Sequence, residues 1–511
     1  RQGSTSAPKG VVITHGNLLH QLKLSREALG MDEHSKGVLW VPQYHDMGLI
    51  GGILNALGGN LSLTLFSPLD FIKRPALWFE LMDQLGATHT AAPNFAYELA
   101  LRKTTAAQRA QWDLSSLQVM MSAAEPVRAH TTRRFLEAFA VTGLKPEAYQ
   151  PAYGLAEHTV AVSFSGGALC QIDKHELEVN RKVRVSEEAE RGSVELVGSG
   201  SWSSDVRVKI VDPETSTECP EDEVGEVWVD SPSKAAGYWK QEEANARSFS
   251  AKLLGDERHR YLRTGDLGFV RDEQLYICGR IKDMLILAGR NLYPQDVEDC
   301  VQLADDELKP GGVACFAVEV QAGERVEEKL VLLAEVRNRR ATHSELRALA
   351  QKLQTAVLQS QQTACHAIVL APVGTVLKTT SGKVRRQACR RLWLDGSLAD
   401  GALYVLQPDA SSSPQPELQS NASQSSVSRR QGPLSKRAAT MRQIAAQLLN
   451  LPDAEAVDVH APLTEQGMGS LTAVEFCQEY EKKSGEELSI SRFFNELSIH
   501  ALSLALEGEP R

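Results

Sequence analysis

A long polar stretch near the C-terminal end sets the strongest limit on how this chain folds. Residues 407–431 read QPDASSSPQPELQSNASQSSVSRRQ, which is rich in Ser, Gln, Pro and Asn and nearly free of large apolar side chains. Such a stretch cannot bury enough apolar surface to offset the entropy lost on ordering. The 511 residues are also too many for a single core. We therefore predict separate domains on either side of a flexible linker at residues 405–436.

Charge and cysteine content argue against several classes of protein. The net charge is −10 and no dense stripe of Lys and Arg occurs, which argues against nucleic acid as a partner. The eight cysteines are scattered and form no Cys-x-x-Cys pair, so we expect free thiols in a reducing cytoplasm rather than disulfides or a zinc site. No apolar run reaches about 18 residues, and we therefore predict no membrane span.

The region before the linker mixes helical and strand-like segments. Residues Pro75–Gly86 have apolar side chains at helical spacing, and residues Val224–Pro232 alternate as a strand does. Residues Asp272–Leu287 predict a strand pair that is broken at Gly279. Because both types recur along the region, we predict an α/β architecture.

The chain opens with a loop that suits phosphate. RQGSTSAPKG is rich in Gly, Ser and Thr and closes with Pro8, Lys9 and Gly10. Backbone N–H groups of such a turn can converge on phosphate oxygens, and a lysine adds positive charge. The order differs from the common nucleotide-binding loop, in which Gly-Lys-Ser/Thr follows an earlier glycine. Taken alone, the string also fits a polar surface turn.

Five strings in one order carry a resemblance to a known family. They are Gly3–Leu18, Pro151–Thr159, Tyr261–Phe269, Gly279–Glu298 and Lys378–Arg386. Together they resemble the adenylate-forming superfamily, and three further strings resemble its fatty acyl-AMP ligase branch: His45–Gly52, Pro68–Met82 and Pro93–Leu99. The resemblance implies a large α/β adenylation domain at residues 1–281, which lacks the N-terminal part that relatives have, and a small α+β C-terminal domain at residues 282–404.

The resemblance also implies roles in binding ATP and Mg²⁺. It assigns the phosphates to Gly3, Ser4, Thr5 and Lys9, adenine to Ala124, Glu125, Tyr153 and Gly154, the ribose to Asp266 and Arg280, Mg²⁺ to Glu157, the hinge to Lys282, and the reacting carboxylate and α-phosphate to Lys383. Attack of a carboxylate on ATP brings two anions together, and Mg²⁺ and a lysine lower that repulsion. Glu157 and Lys383 are therefore the implied catalytic pair.

Each of these residues has a structural alternative when it is considered alone. Lys383 also fits a solvated turn, Asp266 fits a turn or a helix cap, and Glu157 fits the start of a helix. For His45 and Asp46, a place beside an acyl pocket is implied, but His45 equally fits a hydrogen bond in the core.

The chain departs from its resemblance at two places. Relatives have Gly-Ala-Glu-Pro at the adenine site, whereas this chain has Ala123 in the first position, and we expect the added methyl to narrow the approach. The stretch Phe164–Gly200 is polar, with a turn at Gly166 and Gly167. It resembles an insertion that accompanies failure to use coenzyme A in acyl-AMP ligases; a variable surface loop is the alternative.

The module after the linker, residues 437–511, resembles an acyl-carrier domain with a helical bundle. Residues Thr440–Asn450 have helical spacing, and Ser470 stands just before a second helix. In carrier domains a serine in an Asp-Ser-Leu string carries phosphopantetheine, and a helix N-terminus favours the phosphate. Here Gly469 replaces the acid, and Ser470 alone also fits an ordinary N-cap.

The resemblance therefore implies a fatty acyl-AMP ligase fused to a carrier domain. Such an enzyme activates a fatty or other apolar acid with ATP and Mg²⁺, and passes the acyl group to phosphopantetheine on its own or a downstream carrier, which a phosphopantetheinyl transferase has loaded. This places it in lipid, polyketide or lipopeptide synthesis. Two alternatives stay open: an acyl-CoA ligase, and a catalytically defective remnant that serves as a scaffold for the carrier.

Overall fold

The computed structural model describes most of the chain and divides it into two compact units, Arg1–Asp299 and Cys300–Arg511. The described residues are 9–186, 193–287, 290–322, 325–361, 363–378, 383–406, 435–449, 451, 453–461, 463, 466, 468, 470–486, 488 and 498–507. The domain boundary between residues 281 and 282 stays a prediction.

The first unit holds strands and helices in alternation. Its strands are β1 (Val11–Val12), β2 (Lys36–Leu39), β3 (Ser62–Leu65), β4 (His89–Ala92), β5 (Val119–Ser122), β6 (Tyr149–Pro151), β7 (Leu169–Asp173), β8 (Ser193–Val197), β9 (Arg207–Val211), β10 (Gly225–Asp230), β11 (Gly237–Tyr238), β12 (Ala251–Leu253), β13 (Asp256–Arg271), β14 (Gln274–Arg280), β15 (Leu285–Leu287) and β16 (Arg290–Leu292).

Its α-helices are α1 (His15–Leu29), α2 (Asn55–Gly59), α3 (Pro68–Lys73), α4 (Ala76–Leu85), α5 (Asn94–Lys103), α6 (Ala106–Arg109), α7 (Ala129–Phe139) and α8 (Glu242–Phe249), and α9 (Pro294–Ala304) contains the boundary between the units. Two π-helical turns span Met47–Leu54 and Glu176–Asn180, and 3₁₀ turns span Ala140–Thr142, Pro146–Ala148 and Ala156–His158.

Local sequence signals explain several of these elements. The hydroxyl of Thr14 accepts from the backbone N–H of Asn17, and the Asn17 side chain accepts from the backbone of Thr14, which is a capping box at the start of α1. Helix α4 ends at Gly86, whose φ of 56° closes the C-cap. The predicted helix at Pro75–Gly86 and the predicted strand at Val224–Pro232 are confirmed by α4 and β10.

A parallel sheet with helices forms the larger core of the first unit. Its strand order is β3-β2-β4-β5-β6, and every pair runs parallel. Fully buried aromatic side chains pack against it, among them Trp78, Phe79, Tyr97 and Phe135. The predicted α/β class is confirmed. Because β5 and β6 are parallel neighbours, the segments that follow them emerge at one edge of the sheet.

An antiparallel sheet forms the second layer, in the order β12-β13-β10-β9, and β14 pairs with β13. The predicted break at Gly279 is wrong, because Gly279 lies inside β14 opposite Leu267. A Cβ atom at Gly279 would come within 2.6 Å of Cδ1 of Tyr293. The glycine therefore permits close packing within a strand and does not mark a turn.

The second unit contains a mixed sheet and a helical module. The sheet runs β17 (Leu308–Ala322), β18 (Arg325–Val336), β19 (Cys365–Pro372) and β20 (Tyr404–Leu406), with only β18 and β19 parallel. The helices of the same part are α10 (His343–Gln361), α11 (Arg386–Leu394) and α12 (Ser397–Asp400). This combination confirms the predicted α+β character of the small domain.

The helical module has a core of its own. Its helices are α13 (Lys436–Leu449), α14 (Ser470–Ser484) and α15 (Ile499–Glu507), with a 3₁₀ turn at Ala454–Ala456. Met441, Phe476, Tyr480 and Leu502 are fully buried together. The predicted helical bundle is confirmed. Across the described residues of both units, no helix combines the length and the apolar content that crossing a membrane requires.

Candidate functional site

The ribose residues predicted from sequence lie on a β-hairpin of the first unit. The register of β13 and β14 places Asp266 opposite Arg280. The Nε of Arg280 donates to Oδ1 of Asp266 at 2.7 Å, and the hydroxyl of Tyr153 donates to Oδ2 of Asp266 at 2.6 Å. The fold thus brings together both residues predicted for the ribose and one predicted for adenine.

Burial and charge shift the pKa values of two members of this cluster, Tyr153 and Arg280. Asp266 is 4% exposed. Burial, followed by the charge of Asp266, raises the pKa of Tyr153 well above its ordinary value, and the charge of Asp266 also raises the pKa of Arg280. Each carboxylate oxygen can accept more than one hydrogen bond, so Asp266 can also accept from two vicinal hydroxyl groups.

The predicted Mg²⁺ ligand Glu157 lies on the 3₁₀ turn that follows Gly154. A Cβ atom at Gly154 would lie 1.9 Å from the carbonyl oxygen of Val160, so only glycine allows the turn to close. Glu157 is buried, and its Oε1 accepts from the hydroxyl of Tyr238 at 2.8 Å. The turn therefore presents a buried carboxylate that a tyrosine orients.

Tyr238 also contacts the end of the opening loop. The pairing of β1 with β11 places Val11 opposite Tyr238, and the backbone N–H of Trp239 donates to the carbonyl of Gly10 at 2.8 Å. The Nζ of Lys9 lies 4.6 Å from the centre of the Tyr238 ring, within the range of a cation–π contact. One tyrosine therefore contacts both the predicted phosphate lysine and the predicted metal ligand.

The donor chemistry at Glu157 fits a magnesium ion. Carboxylate oxygen is a hard ligand, and Mg²⁺ at nucleotide sites combines one or two carboxylates with phosphate oxygens and water. Glu157 supplies such an oxygen at the hydroxyl of Tyr238, and Lys9 supplies positive charge over the ring of the same tyrosine. Within the part of the chain that the structure describes, no group of three or more His, Cys, Asp or Glu side chains is arranged to hold a metal.

The residues predicted for adenine follow the parallel strands β5 and β6. Ala124 has a φ of 71°, which is uncommon for a residue with a side chain and marks a constrained turn. Oε1 of Glu125 accepts from the backbone N–H of Phe95 at 2.5 Å. Ala123 is buried in the aromatic core, and the narrowing of the approach to adenine by its methyl group stays a prediction.

His45 and Asp46 lie beside each other and cap a π-helical turn. Nδ1 of His45 is 2.9 Å from Oδ1 of Asp46, and both side chains accept from the backbone N–H of Met47. These bonds give both residues a local structural role, and their place in an acyl pocket stays a prediction. A cavity of about 460 Å³ lies beside the same turn and is lined by Ile13, Thr14, His15, Leu18, Leu49, Ile50 and Leu54.

Other predicted site residues are described only in part. Gly3, Ser4 and Thr5 lie outside the described residues, and so does Gly469. Lys282 is exposed in the turn after β14, and Lys383 is partly exposed in the second unit. Ser470 is the first residue of α14, while its side chain lies outside what the structure describes. The roles of these residues stay predictions.

The described part of the stretch Phe164–Gly200 has buried contacts. Ile172 and Leu177 pack with Tyr276 in one apolar cluster. Glu178 is fully buried, lies 3.7 Å from Nζ of Lys174 and forms an ion pair with Arg290. Its carbonyl accepts from the side chain of Asn291 at 2.9 Å. The stretch is therefore tied to β16, which follows the predicted hinge.

Tyr238 was not among the residues predicted from the sequence. Its position in the string Gly-Tyr-Trp, shortly after the predicted strand at Val224–Pro232, was the available signal. No sequence periodicity links this string to the opening loop. Tyr238 reaches Lys9 only through the pairing of β1 with β11, which are far apart in the sequence.

Two family models match the chain. One is described as AMP-binding enzyme and matches residues 3–239, a range that includes Lys9, Tyr153 and Glu157. The other is described as phosphopantetheine attachment site and matches residues 439–506, a range that includes Ser470.

Curated relatives match over most of the chain. This chain is 39% identical over 401 residues to the medium-chain-fatty-acid–[acyl-carrier-protein] ligase JamA of Moorena producens, and the match covers 78% of this chain and 67% of the relative. It is 38% identical over 402 residues to a 4-hydroxyphenylalkanoate adenylyltransferase of Mycobacterium marinum, covering 76% of this chain and 63% of the relative. The chain thus spans about two thirds of the length of these curated relatives.

A solved structure is similar over the same extent. It is the crystal structure of a fatty acyl-adenylate ligase from L. pneumophila in complex with acyl adenylate and pyrophosphate. The sequence identity is 35%, the TM-score is 0.55, and the similarity covers 79% of this chain and 70% of that chain.

Proposed function

Because this chain belongs to the fatty acyl-AMP ligase family, we propose that it activates a fatty acid with ATP to an acyl-adenylate and transfers the acyl group to a phosphopantetheine carrier. The observation that carries the proposal is the buried carboxylate of Asp266, which is held by Arg280 on the same hairpin and by Tyr153 from the segment after β6. This arrangement supports binding of a ribose diol beside an aromatic ring.

In this proposal the first unit binds the nucleotide. Asp266 and Arg280 hold the ribose, and Tyr153 and Gly154 line the adenine pocket together with Ala124 and Glu125. Lys9 and the loop that contains Gly3, Ser4 and Thr5 hold the β- and γ-phosphates. The contact of Lys9 with Tyr238, whose hydroxyl donates to Glu157, supports a shared phosphate and metal region.

The first half-reaction forms the acyl-adenylate. A carboxylate oxygen of the acid attacks the α-phosphorus of ATP, the bond to the oxygen that bridges to the β-phosphate breaks, and pyrophosphate leaves. Lys383 donates hydrogen bonds to the carboxylate and to the α-phosphate oxygens, which lowers the repulsion between the two anions. Mg²⁺, when bound at Glu157, offsets the negative charge of the phosphates.

The second half-reaction forms a thioester. The thiol of phosphopantetheine, carried on Ser470 or on a downstream carrier, attacks the acyl carbonyl, and AMP leaves. The matched attachment site at residues 439–506 and the start of α14 at Ser470 support this role. A phosphopantetheinyl transferase loads the carrier, the protein acts in the cytoplasm, and its product feeds lipid, polyketide or lipopeptide synthesis.

The domain limits follow the same proposal. We place the large adenylation domain at residues 1–281, the small domain at 282–404, the linker at 405–436 and the carrier at 437–511. Lys282 is the hinge between the first two. The exposed position of Lys282 in a turn supports that role.

We favour a carrier over free coenzyme A as the acceptor. The buried pair of Glu178 and Arg290 ties the stretch Phe164–Gly200 to the strand that follows Lys282. Movement of the small domain about Lys282 would have to break this buried pair or leave β16 behind. Removing one partner of a buried ion pair costs about 3–5 kcal/mol, so the tie opposes any movement about Lys282 that carries β16 with the small domain, as a coenzyme A-using conformation would in this proposal.

Mass spectrometry of the products tests the function. The full chain, first modified with phosphopantetheine, is incubated with a fatty acid, ATP and Mg²⁺, and coenzyme A is then added. We expect acyl-AMP and an acylated carrier without acyl-CoA, and we expect Ser470→Ala to form acyl-AMP but no acylated carrier. Abundant acyl-CoA would favour the acyl-CoA ligase alternative. Absence of acyl-AMP, with the carrier still modified, would favour the scaffold alternative.

A further inference from the structure

The turn that carries Glu157 has a constrained backbone. Thr159 has φ 67° and ψ −63°, and a β-branched residue with positive φ persists only where its surroundings hold it. Thr159 is fully buried, and its hydroxyl donates to the carbonyl of Ser233 at 2.7 Å. The turn is therefore held by the segment Ser231–Ala235, which we call the serine loop.

His158 connects the same turn to the serine loop. Its Nδ1 lies 2.8 Å from the carbonyl oxygen of Ala161, which can only accept, so Nδ1 carries the proton. Nε2 must then accept from the hydroxyl of Ser231, at 2.6 Å. His158 is fully buried and both ring nitrogens are bonded. Loss of either bond would leave a buried polar group without its partner, which is unfavourable.

The serine loop also bonds Glu157 directly. The backbone N–H of Ala235 donates to the carbonyl of Glu157 at 2.9 Å. Within the loop, the backbone N–H of Ser233 donates to Oγ of Ser231 at 3.0 Å. Ser231 therefore donates to His158 and accepts from its own loop, so one hydroxyl joins the loop to the turn on which Glu157 sits.

Helix α1 holds the other side of the serine loop. The side-chain amide of Asn17 donates to the carbonyls of Pro232 and Lys234, each at 2.8 Å, and Nδ1 of His20 lies 2.7 Å from Oγ of Ser233. Because α1 follows β1 and the opening loop, the serine loop is bonded both to the helix behind Lys9 and to the turn of Glu157.

We propose that the serine loop, through Ser231 and His158, positions Glu157 for Mg²⁺ in a fixed relation to Lys9 and Tyr238. The proposal rests on the proposed function, since it requires Glu157 to bind the metal. His158 and Ser231 are positioning residues, because their side-chain polar atoms form hydrogen bonds with Ala161 and with each other.

Calorimetric titration of ATP into the full chain, with and without Mg²⁺, tests the proposal. For the parent chain we expect Mg²⁺ to increase ATP affinity. For Ser231→Ala we expect the Mg²⁺-dependent increase in ATP affinity to fall at least tenfold, while ATP affinity without Mg²⁺ stays within twofold. In a separate assay of initial rates, KM for the fatty acid should also stay within twofold of the parent value. Ser62→Ala is the matched control, since Ser62 is exposed at the start of β3, and it should behave as the parent does.

Two variants of His158 separate the bond to the loop from the bond within the turn. In His158→Gln the longer side chain places an amide oxygen to accept from Ser231, whereas in His158→Asn the shorter amide reaches only Ala161. We expect the glutamine variant to keep most of the Mg²⁺-dependent increase and the asparagine variant to lose it.

Three outcomes would overturn the inference. An unchanged Mg²⁺-dependent increase in Ser231→Ala would show that the loop does not position Glu157. Equal loss of ATP affinity with and without Mg²⁺ would reveal a purely structural role. A parent chain that binds ATP in neither condition would overturn the proposed function itself, and the inference with it.

Discussion

The residues proposed to bind the nucleotide in the first unit and Lys383 of the second are held in different ways. Asp266 is buried between Arg280 and Tyr153 on a hairpin whose register fixes both strands. Lys383 is partly exposed and follows residues 379–382, which lie outside the described part of the chain. Replacing a buried, paired residue lowers the free energy of unfolding as well as ligand binding. Replacing a residue with more exposed surface can lower activity with a smaller effect on the free energy of unfolding.

We therefore expect activity and stability to be coupled at the buried residues of the first unit and separable at Lys383. Five variants test this difference, in order of the expected loss of activity.

Replacing Lys383 should remove most activity with little effect on stability. For Lys383→Ala we expect adenylate formation to fall about 100- to 1000-fold, since one cationic donor to the reacting oxygens is lost. The free energy of unfolding should change by no more than about 1 kcal/mol, since Lys383 is only partly buried. Pyrophosphate release and urea unfolding measure the two quantities. Arg391→Ala, at an exposed position of α11, is the matched control. Adenylation at the parent rate would remove Lys383 from the site.

Replacing Asp266 should impair both activity and stability. In Asp266→Asn the charge that Arg280 pairs with is lost, together with acceptor capacity for the ribose. We expect kcat/KM for ATP to fall about 100-fold, which corresponds to roughly 3 kcal/mol of charge-assisted hydrogen bonds. Unfolding should require about 1–3 kcal/mol less, a value below that for a fully buried pair because Arg280 is about one-third exposed. A variant that loses activity at unchanged stability would contradict the expected coupling of activity and stability at Asp266.

Two matched tyrosine variants should separate the two ends of the nucleotide site. Tyr153→Phe and Tyr238→Phe each remove one hydroxyl that donates to a carboxylate. Asp266 remains held by Arg280, so we expect at most a threefold change in KM for ATP from Tyr153→Phe. Because Tyr238 orients Oε1 of Glu157, we expect Tyr238→Phe to raise the Mg²⁺ concentration for half-maximal activity about tenfold. Initial rates measured over a series of Mg²⁺ concentrations give the half-maximal value for each variant. The same half-maximal Mg²⁺ concentration for both variants would contradict the prediction.

A pH-dependent stability effect without loss of activity should come from Asp296. Burial raises the pKa of Asp296 to about 6, against the charges of Lys174 and Arg128 and alongside those of Glu178 and Glu298. The folded chain therefore holds a proton between the ordinary pKa and pH 6 that the unfolded chain has released, so stability falls as pH rises through that window.

For Asp296→Asn we expect a gain in the free energy of unfolding of up to about 3 kcal/mol at pH 7.5, because the cost of a buried charge is removed. The gain should shrink as pH falls from 6 toward 4. Urea unfolding at several pH values measures it. A pH-independent difference between variant and parent would show that Asp296 ionises as a solvent-exposed carboxyl does.

Elements and residues with local signals were predictable from sequence. Helix α4 has apolar spacing between Pro75 and Gly86, and the hairpin residues Asp266 and Arg280 lie in short strings with a recognisable order. Periodicity predicts elements because side chains three or four apart share a helix face and alternate side chains share a strand face.

Contacts between distant segments could not be predicted in this way. The bonds of His158 to Ser231, and of Asn17 to the serine loop, join side chains on irregular segments that no period marks. The role of Gly279 was predicted wrongly for a related reason, since it depends on Tyr293, which approaches it from the segment between β16 and α9. A glycine in a sequence is compatible with a turn and equally with the close approach of another side chain. The packed structure is needed to distinguish these two roles.

The pairing of β1 with β11 has a consequence for the order in which the molecule folds. Strands β13 and β14 are adjacent in sequence and can pair early, whereas β1 and β11 are separated by the whole parallel sheet. Distant pairs form late because closing a long loop costs entropy before the contact is made. Pulse-labelling hydrogen exchange during refolding should therefore protect the β13–β14 amides before those of Ala236 and Trp239, which donate to Val12 and Gly10. On the ribosome, β1 would remain without its strand partner until β11 has left the exit tunnel.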